Sequence, residues 1–163
     1  MELFDLVNEN DEVIGTTDKP TAHAKAQLHR LVAVYVFNEQ GELYVQVHKA
    51  SGGLYDNSVG GHVIKGEDYD TAVKREAKEE LGIDQPLTHV ARLYSDEGGY
   101  FKHLFSLYEC TSDPSWRFIP NAEVEEIIPM KIETIRKMMH ETPEKFTTGF
   151  VNTMREYCKV KGL

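Results

Sequence analysis

Cysteine is nearly absent: Cys110 and Cys158 are the only two in 163 residues. Two are too few for a disulfide framework, and neither sits in a zinc-binding spacing. Each reads as a small apolar residue in a reducing compartment, so a cytoplasmic location is expected. Positive charge is also scarce, with 18 Lys and Arg against 27 Asp and Glu and a formal net charge of -9. Such a balance gives no general attraction for a nucleic-acid backbone or an anionic membrane. Long apolar runs are missing too. The longest, "LVAVYVF", is strand-sized and far too short to span a bilayer. The stretch "MELFDLVNEND" has no basic segment followed by an apolar one, so no signal peptide is expected. No internal repeat, low-complexity tract or Pro/Gly/Ser-rich linker divides the chain, and a single domain over 1–163 is expected.

What is present is a mixture of strand and helix patterns. "LFDLVNENDEVIGTT" reads as two short strands joined at Asn8, Glu9, Asn10 and Asp11. "AHAKAQLHR" reads as a short connector with a helical turn. "LVAVYVFNEQGELYVQVHKA" reads as a long hairpin, its first arm apolar throughout and its second alternating. "SGGLYDNSVGG" reads as a glycine-rich loop. Residues 69–81 read as a helix, with Asp68 as N-cap and Gly82 just past its end. Strands are expected near 87–95, 100–110 and 124–129, then helices near 131–141 and 146–159 on either side of Pro143. The early hairpins favour an α/β (α+β) fold with a mixed sheet flanked by helices over a doubly wound parallel sheet.

The stretch "GHVIKGEDYDTAVKREAKEELG" carries the chemistry. At about 100° per residue, Glu76, Glu79 and Glu80 fan over an arc of roughly 100° on one helix face. Val73, Ala77 and Leu81 form the neighbouring apolar stripe. Glu76 repels Glu80 at i, i+4, and only Arg75 and Lys78 lie near enough to offset the charge. A divalent cation would offset it better, because hard cations take carboxylate oxygens. Taken alone, the helix is better read as a solvated Glu/Lys surface.

The spacing upstream decides otherwise. Gly61, Glu67, Arg75, Glu76, Glu79, Glu80 and Gly82 follow the order Gly, five residues, Glu, seven residues, Arg-Glu, two residues, Glu-Glu, one residue, Gly. This resembles the signature box of the Nudix hydrolases. Ile83 supplies the aliphatic residue the family places after the last glycine, and Ala77 is smaller than the aliphatic residue usual there. A seven-position match arises by chance on the order of once in 10⁸ starts. The resemblance covers most of residues 1–130. It implies a Nudix-type α/β/α sandwich with a central mixed sheet and Mg²⁺- or Mn²⁺-dependent hydrolysis of a diphosphate. It implies Glu76, Glu79 and Glu80 as metal ligands and catalytic residues, with Gly61 contributing its carbonyl. Glu67 supports the loop or reaches metal through water, and Arg75 orients the carboxylates.

"DLVNENDEVIG" ahead of His23 and His29, with His62 in "YDNSVGGH", resembles the branch that includes isopentenyl-diphosphate isomerase. In that enzyme the histidines are metal ligands. It also carries a cysteine just before the box glycine, where Gly60 stands here, and a Glu-x-Glu pair on a strand where "YFKHLFSLYE" has none. A hydrolase of this branch is therefore expected, ahead of an isomerase-like enzyme or a non-catalytic nucleotide-binding module.

Several further residues are candidates. His62 reads equally as a substrate or metal contact and as a polar loop residue. His103 is a candidate base or ligand, with a satisfied core histidine favoured. For His23 and His29 a surface role is favoured over a second site. Lys49 is a candidate to meet a phosphate, with a solvated strand end as the nearly equal alternative. Tyr55, Trp116 and Phe118 are the base-stacking candidates, although aromatic residues more often simply pack. Asp96, Glu97 and Glu123 compete as an additional acid, and the general base is left open among Glu76, His103 and an acid outside the box. The expected partner is a small nucleoside-diphosphate-linked substrate rather than capped RNA, although Lys65, Arg92 and Lys102 offer a local basic patch. A homodimer is left open.

Overall fold

A computed structural model describes all 163 residues. Its strands are β1 (Leu3–Val7), β2 (Val13–Asp18), β3 (His29–Phe37), β4 (Leu43–His48), β5 (Leu54–Asp56), β6 (Val59–His62), β7 (Thr88–Glu97), β8 (Phe101–Thr111) and β9 (Ile127–Met130). The helices are α1 (Lys19–Ala24), α2 (Tyr69–Leu81), α3 (Ile132–Glu141) and α4 (Thr148–Lys161).

All strands join one mixed sheet organised around β3. β3 runs parallel to β8 over its whole length and antiparallel to β6 on the other side. β7 pairs antiparallel with β8, and β4 pairs antiparallel with both β5 and β9. The β1–β2 hairpin meets β3 through Leu6 and His29.

The apolar run of β3 has a direct physical reason. Side chains alternate across a strand, and both faces of β3 are covered. Val32, Val34 and Val36 pack with Ala72, Val73, Ala77 and Leu81 of α2. Ala33 and Tyr35 pack on the opposite face with Ile135 of α3 and Phe150 and Met154 of α4. The result is the α/β/α sandwich that the sequence predicts. Tyr35 keeps its hydroxyl satisfied at depth by bonding Thr153 Oγ1 at 2.8 Å.

One stretch differs from expectation. The glycine-rich segment read as a loop contains β5 and β6. Gly60 and Gly61 carry no side-chain pattern, yet their backbones pair with Ala33 and Val32 of β3. The α1 segment is a true helix, capped by Asp18, whose Oδ1 accepts from Thr21 N–H at 2.8 Å. None of the helices is long and apolar enough to cross a membrane.

Candidate active site

Helix α2 and strand β6 build the acidic side of the site. Asp68 caps α2 by accepting from Thr71 N–H at 2.7 Å, and Gly82 ends it in the left-handed region at φ 64°. The apolar stripe of α2 lies on the sheet, which turns Glu76 and Glu80 toward β6. A Cβ at Gly61 would overlap the Glu76 carboxylate. Only glycine lets the carboxylate lie against the strand at this point.

Glu80 is buried and accepts from Gln46 Nε2 at 3.0 Å and from Gly60 N–H at 3.4 Å. Burial, reinforced by repulsion from Glu76, pushes its carboxyl up to about 9. Burial also raises Glu76, against the pull of Arg75. One carboxylate oxygen from each of Glu76, Glu79 and Glu123 lies within 4.8 Å of the others. Glu123, one of three competing acids in the sequence, is thus the one gathered with the helix glutamates.

Arg75 ties these acids together. Its Nη1 donates to Glu76 at 2.8 Å and to Glu79 at 3.4 Å, and its Nη2 donates to the His62 carbonyl at 3.0 Å. Glu67 receives Arg75 through both oxygens, Nε to Oε2 at 3.0 Å and Nη2 to Oε1 at 2.9 Å. Glu67 Oε1 also accepts from Ile64 N–H at 3.0 Å. Burial alone would raise Glu67, but Arg75 and the Ile64 N–H outweigh it and hold the carboxyl low. Glu67 therefore acts on the loop and on Arg75, and its oxygens are spent there rather than with Glu76, Glu79 and Glu123.

Glu76, Glu80, Gly60 and Gly61 line an open cavity of about 800 Å³. Its other walls include Lys19, His48, Asp56, Glu97, Phe101, Phe146 and Thr147. The structure does not bring several sequence candidates to it. Lys49 is exposed and pairs with Glu125 at 3.7 Å and Glu126 at 4.0 Å, while its neighbour His48 faces the cavity. Tyr55 packs on Phe146, with ring centroids 5.5 Å apart. Trp116 donates Nε1–H to the Leu81 carbonyl at 2.8 Å and packs on Tyr44. Phe118 packs against the α2 side of the core. These three aromatics are spent on packing. Phe101, 38% exposed at the cavity, is the ring that remains available there. The proposed basic patch is weakened as well, because Arg92 lies over the Tyr69 ring at 4.1 Å and reaches Asp11.

The histidines need the largest correction. His29 is fully buried, not a surface residue. His103 is buried too, yet it is not satisfied: Nδ1 meets Glu97 Oε1 at 3.3 Å and Nε2 has no partner. His23, His29, His62 and His103 form one cluster, with ring nitrogens within 4.8 Å of one another. His62 stacks on Phe4 at 4.6 Å and on His29 at 5.2 Å. Burial lowers His62 to about 2 and His29 to about 4, so both rings are neutral near pH 7.

With this geometry in place, comparison with known proteins identifies the lineage. The NUDIX domain model matches residues 27–150. The chain belongs to the Nudix family. A protein of Pectobacterium atrosepticum named isopentenyl-diphosphate Delta-isomerase is 35% identical over 153 residues, covering 89% of this chain and 85% of that protein. An uncharacterized Nudix hydrolase of Streptomyces coelicolor is 33% identical, covering 76% of this chain and 77% of its own. The crystal structure of a Deinococcus radiodurans protein superposes with a TM-score of 0.70 at 29% identity, covering 86% of this chain and 90% of that one. Nudix membership carries hydrolase chemistry in general, and the central mixed sheet between helices matches this neighbour.

Proposed function

We propose that this protein is a Mg²⁺- or Mn²⁺-dependent diphosphohydrolase acting on a small diphosphate, with nucleoside-diphosphate-linked compounds as the first class to examine. The observation that carries the reading is the carboxylate set of Glu76, Glu79 and Glu123 beside a backbone that a single Cβ would block. An all-oxygen donor set suits a hard divalent cation, and the glycine backbone is what lets the Glu76 carboxylate lie against the strand. When bound, such an ion neutralises phosphate charge and lowers the pKa of a coordinated water.

The chain's own residues supply the rest. Arg75 fixes the rotamers of Glu76 and Glu79, and Glu67 fixes Arg75, so the carboxylates are positioned before substrate arrives. Gln46 and the Gly60 N–H orient Glu80 at the cavity wall. Lys19 and His48 line the same cavity and can meet phosphate oxygens. Phe101 offers a face for the remainder of the substrate.

A second reading, an isomerase on this scaffold, is favoured by the name of the Pectobacterium relative and by the histidine cluster. Against it stand Gly60 in place of a thiol and a β8 sequence without a Glu-x-Glu pair. The experiment is a screen of nucleoside and non-nucleoside diphosphates with Mg²⁺ and Mn²⁺, reading phosphate release with a coupled phosphatase. Turnover of at least one diphosphate is expected, reduced by orders of magnitude in Glu79→Gln. Wild-type rates in both Glu79→Gln and Glu80→Gln would remove the assignment.

A further inference from the structure

The α2 glutamates occupy one part of the cavity. Another part of its wall comes from β5, β7 and α4, and the hydrogen bonding there is incomplete. Asp56 ends β5. Its Oδ1 accepts from Asn57 N–H at 2.8 Å and from Thr147 Oγ1 at 3.0 Å, while Oδ2 has no protein partner. Glu97 ends β7. Its Oε1 lies 3.3 Å from His103 Nδ1 and accepts from Ser95 Oγ at 3.4 Å, while Oε2 has no protein partner. Neither carboxylate pairs with a Lys or Arg. Both residues line the cavity, and neither free oxygen is sealed from solvent space.

The same wall carries unused donors. Asn57 is only 4% exposed, and its Oδ1 is taken by Thr153 Oγ1 at 2.8 Å. Its Nδ2 has no protein partner and opens to the cavity that Asn57 lines. A polar group held this deep without a partner is costly, so the amide calls for a ligand. Thr148 and Gly149 begin α4 and line the same wall, and their N–H groups find no acceptor in the protein. The first turn of α4 ties these groups together. Thr147 bonds Asp56, and a Cβ on Gly149 would stand 3.0 Å from Glu97 Oε1. Both carboxylates therefore lie against one helical turn.

The mixture of free acceptors and free donors narrows the ligand. An apolar chain would leave all of them unpaired. A cation would satisfy the carboxylates and leave Asn57 Nδ2 and the two N–H groups without acceptors. A hydroxyl both donates and accepts, and its bond to a carboxylate is charge-assisted. On the nucleoside-diphosphate reading given above, on which this step rests, the hydroxyl-bearing group is a ribose. We propose that Asp56, Asn57 and Glu97 are specificity-determining residues that read the 2′- and 3′-hydroxyls of a ribose carried on the diphosphate. Asp56 Oδ2 and Glu97 Oε2 accept from the hydroxyls, and Asn57 Nδ2 donates to one of their oxygens. Thr147 and the Asn57 N–H hold Asp56 in place for that contact. The site then selects ribonucleoside over deoxyribonucleoside diphosphates and rejects a prenyl group at the same position.

The test is calorimetric binding to the full chain with Mg²⁺. The probes are α,β-methylene-ADP, whose bridging carbon blocks hydrolysis, its 2′,3′-dideoxy counterpart, and the methylene analogue of isopentenyl diphosphate. Removing hydroxyls that bond charged groups should weaken binding by about 10–100-fold, and the prenyl probe should lose at least as much. Asp56→Asn keeps an oxygen for Thr147. It should weaken the ribose probe and leave the dideoxy probe unchanged, so the ratio between the two shrinks. Glu97→Gln should shrink the ratio as well. A merely structural role for either residue would weaken both probes alike and leave the ratio unmoved. The wild-type comparison needs no variant to fold. Equal affinity for the ribose and dideoxy probes, tighter binding of the prenyl probe, no measurable binding of the ribose probe, or an unmoved ratio in either variant would overturn the proposal. None of these readouts depends on turnover. Discrimination without hydrolysis of any diphosphate would sink the hydrolase reading alone, and hydrolysis indifferent to the hydroxyls would sink this one alone.

Discussion

Single residues set the chemistry, and Gly61 is the most informative. A methyl group there would overlap the Glu76 carboxylate, and the strand it belongs to is paired on β3 and cannot retreat. Gly61→Ala should therefore fold, keep its far-ultraviolet spectrum and lose at least about 100-fold in turnover, the scale expected when a reacting group is displaced by an ångström. Near-wild-type turnover would mean that Glu76 works from another position. Glu80 makes a different prediction. Its folded pKa, pushed up to about 9, exceeds its unfolded value near 4.5. The metal-free native state thus holds a proton that the unfolded chain releases, and stability falls as pH rises from about 4.5 toward 9. Chemical denaturation of chelated protein across that window should show the slope, and Glu80→Gln should flatten it. The glutamates and the box glycine were legible through the family resemblance that their spacing carries. The sequence could not separate Glu123 from Asp96 and Glu97, because the loop that brings Glu123 to α2 leaves no periodic signal. Nor could it show that Glu67 gives both oxygens to Arg75.

At the scale of elements, legibility followed periodicity. The apolar stripe and caps of α2 were readable to the residue, Tyr69–Leu81. Strands β5 and β6 were not, since glycines carry no alternation and pairing with β3 and β4 supplies the order. The histidines were misread for a related reason. A core strand that begins at His29 looks like a strand edge until α1 and β8 close over it, and four elements distant in sequence leave no shared spacing. For the aromatics Tyr55, Trp116 and Phe118 the sequence allows either stacking on a base or packing, and in the folded chain each packs. Helix α4 offers a direct test of how an element shapes the cavity. Thr147 caps it by accepting from Phe150 N–H at 3.2 Å and donates to Asp56 Oδ1 at 3.0 Å. Burial raises the Asp56 pKa, so the loss of that donor is felt at depth. Thr147→Ala should cost about 1–2 kcal/mol, which is a melting temperature lower by roughly 2–8 °C for a chain of this size. Thr147→Ser should restore most of it. An unchanged melting temperature in the alanine variant would show that the cap contributes nothing.

As a whole molecule, the protein is a sandwich whose two helical layers cover both faces of β3. One cavity receives carboxylates from one side and imidazoles from the other. That layout explains how the chain can resemble an isomerase in its histidines and a hydrolase in its glutamates. Without a thiol at Gly60, the purified protein is expected not to exchange the carbon-bound protons of isopentenyl diphosphate with D₂O. Metal-dependent exchange above a boiled control would reverse that expectation. The central claim is that the α2 carboxylates direct water onto a diphosphate phosphorus. Cleavage of an active diphosphate in H₂¹⁸O with Mg²⁺, followed by mass spectrometry of the products, tests it most directly. The account predicts one ¹⁸O in a phosphate product, formed at a rate that collapses in Glu79→Gln. Product free of ¹⁸O, or labelling that proceeds undiminished in that variant, would contradict it.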